Sequence, residues 1–176
     1  MQTTLIILKP DCIEQNLAGK VLDRFAQKGL KIVGIKMIRL SDDLLDEHYE
    51  HHKDKPFFPE LKQFMQRTPV IIVALRGENA VDTVRELAGA TNPAEAAADT
   101  IRKNHGTDVQ ENVLHASDSV ENAEAELKRF FREDEDAEEL KKELKRIKSD
   151  CENYKKAVKM LKGKLKAKKI TADEIK

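Results

Sequence analysis

Hydrophobic positions change their period several times along the first 131 residues. Residues 3–9 form an apolar, β-branched run closed by Pro10-Asp11, the pattern of a buried strand and a turn. Apolar residues then recur at 17, 18, 21, 22, 25 and 26, a helical spacing, with Gly29 placed to end the helix. Residues 30–40 alternate and predict a second strand. Ser41 is placed to cap a helix reaching residue 51, with Asp42 and Asp43 favourable in its first turn. A short helix over 59–67, a buried strand over 70–75 and a helix over 80–88 follow. Residues 89–111 show little periodicity and predict a long loop with one turn of helix at 93–97, the kind of loop that usually carries function. A short strand over 112–115 and a helix from the Ser119 cap to residue 131 complete the body.

Strand, helix, strand, strand, helix, strand is the split βαβ arrangement. The fold class expected is therefore α+β, ferredoxin-like, an antiparallel sheet with helices on one face and added helices between. Fold alone names no function.

A different period takes over near 132–136. Ala137, Leu140, Leu144, Ile147, Cys151, Tyr154, Val158, Leu161 and Leu165 are spaced alternately three and four apart, a heptad a/d seam. Lys141, Lys148, Lys155 and Lys162 fall at e, and Glu143 and Asp150 at g, so pairing between parallel chains is open to them. The pattern predicts one long helix over 136–167 and two domains, 1–132 and 133–176. An exposed apolar stripe must be covered. The candidates are a coiled coil with another subunit, the chain's own body, or an unrelated or acidic partner met by the lysines.

Composition narrows the class. Lysines and arginines number 32, as do aspartates and glutamates, so net charge offers no case for nucleic acid. No apolar run is long enough to span a membrane, and the start shows no basic region and cleavage site, so a cytoplasmic setting is expected. Cys12 and Cys151 make no disulfide framework.

Candidate chemistry is scattered through the body. Ala18-Gly19-Lys20 ends like a phosphate loop but lacks the earlier glycine and the following hydroxyl residue. No dinucleotide glycine fingerprint is present, and the strands lack the aromatics of RNA-binding sheets. His48, His51 and His52 share a helical neighbourhood that could hold a metal, or simply pack. Lys9 ends an apolar strand, either as a surface cap or as a cation in a cleft. Arg85 and Arg102 flank the long loop and suit phosphate binding if they are not merely solvated. Phe57 and Phe58 sit in a proline-bounded turn, as a stacking surface or as a plug. His115 stands at a strand end, with Glu126 two turns along the next helix. A carboxylate on one imidazole nitrogen fixes the tautomer and frees the other, which suits a nucleophile or an acid/base, while a structural histidine stays open.

Seven segments belong together: Leu8-Lys9-Pro10-Asp11, Arg24 to Gly29, Glu47-His48-Tyr49, Lys55-Pro56-Phe57-Phe58, Gly89 to Ala94, Thr100-Ile101-Arg102 and Asn112 to Ser119. In this order and spacing, over about residues 3–131, they resemble one family, nucleoside diphosphate kinase. The resemblance implies transfer of the γ-phosphoryl of a nucleoside triphosphate, typically ATP, to a nucleoside diphosphate through a phosphohistidine at His115. It implies that Glu126 and Ser117 orient the imidazole, and that Lys9 and Tyr49 lie near the transferring phosphate. Arg85, Thr91 and Arg102 would hold the phosphates, Asn112 and Lys9 the ribose, and Phe57, Val109 and Leu61 the base. Mg2+ would ride mainly on the nucleotide, with Asp118 reaching it through water. A homo-oligomer, hexamer or tetramer, is implied as well. Two alternatives stand beside this: a non-catalytic ferredoxin-like scaffold and a protein histidine phosphotransferase. The chain departs from the family pattern at Cys12, at Ala98-Asp99, at Lys103-Asn104-His105 and at Gln110-Glu111.

Overall fold

The computed structural model describes residues 1–131 and 133–173, with side chains over 1–131 and 144–164. By its contacts the chain separates into two units, Met1–Phe131 and Arg132–Lys176.

The first unit holds four strands, β1 (Gln2–Leu8), β2 (Lys31–Ile38), β3 (Val70–Gly77) and β4 (Leu114–Ala116). They form one antiparallel sheet in the order β2-β3-β1-β4. That is the expected ferredoxin-like order, with β1 and β3 central. Register follows side-chain alternation: Leu5 pairs with Ala74 and Ile7 with Ile72, while Ile7 meets His115 on the other side. A period of two sends alternate residues to opposite faces. Leu5 and Ile7 join Val70 and Ile72 in one core, and Ile6 and Leu8 join Val73 and Leu75 in a second.

Helices therefore cover both faces, not the one expected. On the second core lie α2 (Ala18–Gln27), through Val21 and Phe25, and α5 (Ala80–Ala88), through Val84 and Leu87. On the first lie α3 (Asp42–His48), α4 (Phe58–Met65) and α7 (Val120–Phe130), through Leu45, Phe64, Met65 and Phe130. β1 is apolar on both faces and so can be buried on both. The outer strand β2 pairs only with β3 and leaves Ile35 and Met37 exposed.

Local chemistry explains the remaining differences. Pro10-Asp11 opens a short helix, α1 (Pro10–Glu14), because proline at the first helical position has its φ already set. The helix capped by Ser41 stops at His48, and the chain tightens into a 3₁₀ turn over Glu50–His52. In the long loop the helix is α6 (Ile101–His105), not 93–97, because Thr100 caps it through the Lys103 amide. β4 begins two residues later than its apolar run, since Val113 has a positive φ of 75° and cannot continue a strand.

The second unit is α8 (Glu133–Asp173), 41 residues and thus about 60 Å long. It runs beyond both expected ends. The side chains of Ala137, Leu140, Leu165, Lys141 and Glu143 lie outside the described set. Those of Leu144, Ile147, Tyr154, Val158 and Leu161 are exposed along the helix.

Gly89 ends α5 at φ 83°, and an added Cβ would run into the Thr100 side chain. Gly89→Ala meets both a disfavoured conformation and a clash, each worth about 1–3 kcal/mol. The expected result is a loss of about 2–4 kcal/mol in urea unfolding, against a near-neutral Gly19→Ala, which meets nothing within 4 Å.

Candidate active site

β1 and β4 end side by side, and the side chains at their ends meet over one cleft. Its volume is about 970 Å³. His115 projects from β4, held at Nε2 by Glu126 Oε1 of α7 at 2.9 Å. The second carboxylate oxygen accepts from Ser117 Oγ at 2.6 Å. Ser117 is fully buried, and its hydroxyl also accepts from the Leu5 amide. A carboxylate accepts, so His115 Nε2 donates, and the lone pair belongs to Nδ1.

His48 packs edge-on against His115 with ring centroids 4.6 Å apart. Burial first, then the neighbouring His115 and Arg129, holds its pKa well below the usual histidine range. It is thus neutral at pH 7, and its Nδ1 faces the Arg129 guanidinium at 3.4 Å. Tyr49 is buried beside it, its phenol pushed upward by burial and by Glu126. The metal-like grouping that forms is His48, His115 and Glu126, and neither His51 nor His52 belongs to it. Its two imidazoles suit a softer ion than magnesium, which prefers oxygen.

Lys9 enters the cleft from the end of β1. Its ammonium donates to Asn112 Oδ1 at 2.7 Å and to the Gln110 carbonyl at 3.1 Å. Burial, then Arg102, lowers its pKa to about 8. The Asn112 amide in turn donates to the carbonyls of Thr91 and Val109, tying both loops to the strand ends. Arg102 of α6 donates to the carbonyls of Gly89 and Leu114, and burial, then Arg85, lowers its pKa to about 10. Its Nε is buried without a protein partner. The hydrogen bonds of Lys9 and Arg102 thus end on neutral oxygens among the described residues.

The rest of the predicted set lines the same cleft. Arg85 and Thr91 are exposed at its wall, Leu61 is buried in it, and Phe57 and Val109 are exposed at 45% and 57%. Asp118 sits at the rim, its pKa lowered first by the Asn122 amide, which donates to it at 2.6 Å. Of the thirteen named site residues only Ser117 does not line the cleft, standing behind Glu126.

Sequence reasoning missed Asp11. Its buried carboxylate accepts from the Val113 amide at 2.8 Å, while the Lys9 amide donates to the Val113 carbonyl. These two bonds hold a β-branched residue in the left-handed region two positions before His115. A buried aspartate directly after Lys9-Pro10 was the available signal. His48 entered as one of three metal-spaced histidines and as part of Glu47-His48-Tyr49, with no role at His115, and Arg129 not at all.

Comparison with known proteins identifies the family. The family model described as Nucleoside diphosphate kinase matches residues 2–136. The chain belongs to the nucleoside diphosphate kinase family. It is 50% identical over 135 residues to the nucleoside diphosphate kinase of Parabacteroides distasonis, covering 77% of this chain and 88% of that one. It is 47% identical to that of Pyrococcus horikoshii, covering 76% and 87%. Among solved structures, the Aquifex aeolicus enzyme aligns with a TM-score of 0.72 at 44% identity, covering 75% of this chain and 96% of that one. A Halobacterium salinarum family member in complex with CDP aligns with a TM-score of 0.72 at 39% identity, covering 76% and 89%.

Asp11→Ala strands the buried Val113 amide and should cost about 1–3 kcal/mol in thermal or urea unfolding. Asp11→Asn keeps an acceptor and should cost less. Equal losses would show that the amide bond is not what Asp11 supplies.

Proposed function

We propose that this nucleoside diphosphate kinase works by ping-pong transfer through His115. The observation that carries the reading is the 2.9 Å bond from Nε2 to Glu126, which leaves Nδ1 to the cationic cleft. Nδ1 attacks the γ-phosphorus in line, the bond from phosphorus to the β-bridging oxygen breaks, and the diphosphate leaves with that electron pair. Glu126 stabilises the positive charge that develops on the ring. An oxygen of a second diphosphate then attacks the phosphohistidine, and Nδ1 takes its electron pair back.

The other residues position and neutralise. Lys9, Arg85 and Arg102 meet the phosphate oxygens, with Thr91 beside them. Asn112 and Lys9 meet the ribose 3′-hydroxyl. Phe57 stacks on one face of the base, with Val109 on the other side and Leu61 near it, and the Tyr49 phenol lies near the transferring group. Stacking reads a π-face and not base edges, so it tolerates every base.

A nucleoside diphosphate kinase uses a divalent cation, here assigned as Mg2+. Asp118 is a cleft carboxylate bonded to Asn122 and not to His115, which fits an ion arriving on the nucleotide and touched through water; Glu47, bonded to Arg129, and Glu50 line the cleft as well. When bound, it supplies charge to the β- and γ-phosphates.

The decisive experiment incubates the protein with γ-labelled ATP and Mg2+, then with unlabelled diphosphate. The expected result is an acid-labile label on His115 that leaves for the diphosphate. A label retained by His115→Ala would overturn the assignment, and a label passed to protein but not to diphosphate would point to a protein phosphotransferase.

Lys9 gives a pH test. A lysine with its pKa lowered to about 8 is charged below that value and loses its charge as pH rises through it. kcat/KM should therefore fall above about pH 8, up to tenfold per unit where this group alone limits it. Lys9→Arg should move that fall to higher pH at a lower maximum rate. A profile flat to pH 9.5 would exclude Lys9 as the titrating group.

A further inference from the structure

The tail is a helix with an apolar seam that is exposed over its described side chains. Leu144, Ile147, Tyr154, Val158 and Leu161 are all exposed, at 49–73%. With Cys151, also exposed, they occupy successive a and d positions on one stripe of α8. Between Leu144 and Leu161 that stripe is about 26 Å long. Exposed apolar stripes of this kind are covered in solution.

The flanking charges choose the cover. Every e position from 141 to 162 is lysine, and the g positions 136, 143 and 150 are all acidic. In a parallel, in-register pair, each g residue meets the e residue of the following heptad on the other helix. The pairs are then Asp136 with Lys141, Glu143 with Lys148, and Asp150 with Lys155 of the second copy, all of opposite sign. In an antiparallel pair, e faces e and g faces g, so lysines meet lysines and acids meet acids. A one-heptad slip in the parallel pair would remove seam contacts at both ends.

We propose that α8 pairs with the same helix of a second copy of this chain as a parallel, in-register, two-stranded coiled coil. The catalytic cleft uses none of these residues, so the pairing is a separate interaction surface.

Cross-linking reads both orientation and register. Cys12 is fully buried, with its thiol pushed up to about 12 by burial, then by Asp11, so Cys151 is the reactive thiol. Mild oxidation of the full chain with copper-phenanthroline joins the two facing thiols, the copper reagent and oxygen taking up the electrons. The expected product is a reducible covalent dimer of twice 20.0 kDa. The same dimer should form when the thiol is moved along the seam, in Leu144→Cys with Cys151→Ser and in Val158→Cys with Cys151→Ser. An antiparallel pair brings at most one of these three positions together, so success at a single position overturns the proposal. Ser149→Cys with Cys151→Ser places the thiol on the outer face and should form at least fivefold less dimer; an equal yield means random collision and also overturns it.

A charge test leaves the native seam thiol in place and changes only the flanking charges. Asp150→Lys should lower the Cys151 cross-link severalfold, and adding Lys155→Glu should restore it. Kinase turnover should persist in each variant, which shows that the body has folded. No cross-link at any seam position with turnover intact would assign the stripe to another cover, the chain itself or an anionic partner.

Discussion

The site depends on one carboxylate held by two donors. Glu126 accepts from His115 through one oxygen and from Ser117 through the other. Ser117 is itself fastened to β1, since the Leu5 amide donates to its hydroxyl and its own amide donates to the Leu5 carbonyl. The orientation of the imidazole is thus referred to the central strand of the sheet. His48 strengthens the arrangement by being neutral. Its Nδ1 lies 3.9 Å from the same Glu126 oxygen, and a protonated ring there would compete with His115 for it. Burial removes that competitor.

The cationic side follows the opposite rule. Buried charges are normally paired. Lys9 and Arg102 are buried, yet they donate to an amide oxygen and to backbone carbonyls, and burial lowers the proton affinity of both, with Arg102 adding to the effect at Lys9 and Arg85 at Arg102. Neutral oxygens orient a cation without cancelling its field. The cost is a less stable empty cleft, and the gain is charge held ready for an anion that needs no reorganisation on arrival. The strained Val113 belongs to the same economy of structure, since its left-handed backbone turns the chain from the Asn112 hub into β4 just ahead of His115.

Much of this was legible in the chain because the signals were local. The apolar runs of β1 and β3, the alternation in β2, the Ser41 and Ser119 caps and the glycine after α2 all act over a few residues, and they placed the elements and the sheet class. His115 and Glu126 could be paired from a strand end and helical spacing. What escaped depended on tertiary context. The apolar run around Leu5 signals a strand buried on both faces, but it does not say which helices cover each side. The left-handed Val113 is enforced by Asp11, 102 residues away, so its apolar run looked like strand. Likewise the partners of Asn112 come from three separate loops and strand ends. His48 looked like one of three metal-spaced histidines because spacing cannot show that His48 is buried while His51 is exposed.

The two units treat the same residue types differently, and the difference is one of period. In the body, the consecutive apolar residues of β1 and β3 alternate between the two faces with a period of two, and both faces find cover from helices of the same unit. Cys12 is accordingly sealed and inert, while Cys151 is open. In α8 the apolar residues recur every 3.5 positions, and a single straight helix cannot keep such a stripe on one line, because 3.6 residues per turn make it drift. Only winding around a second helix holds the stripe at a common interface. A heptad kept over four turns of the pattern is therefore information about a partner of the same geometry, whereas a surface packed against a globular body has no reason to keep that period or to separate lysines from acids along its two borders.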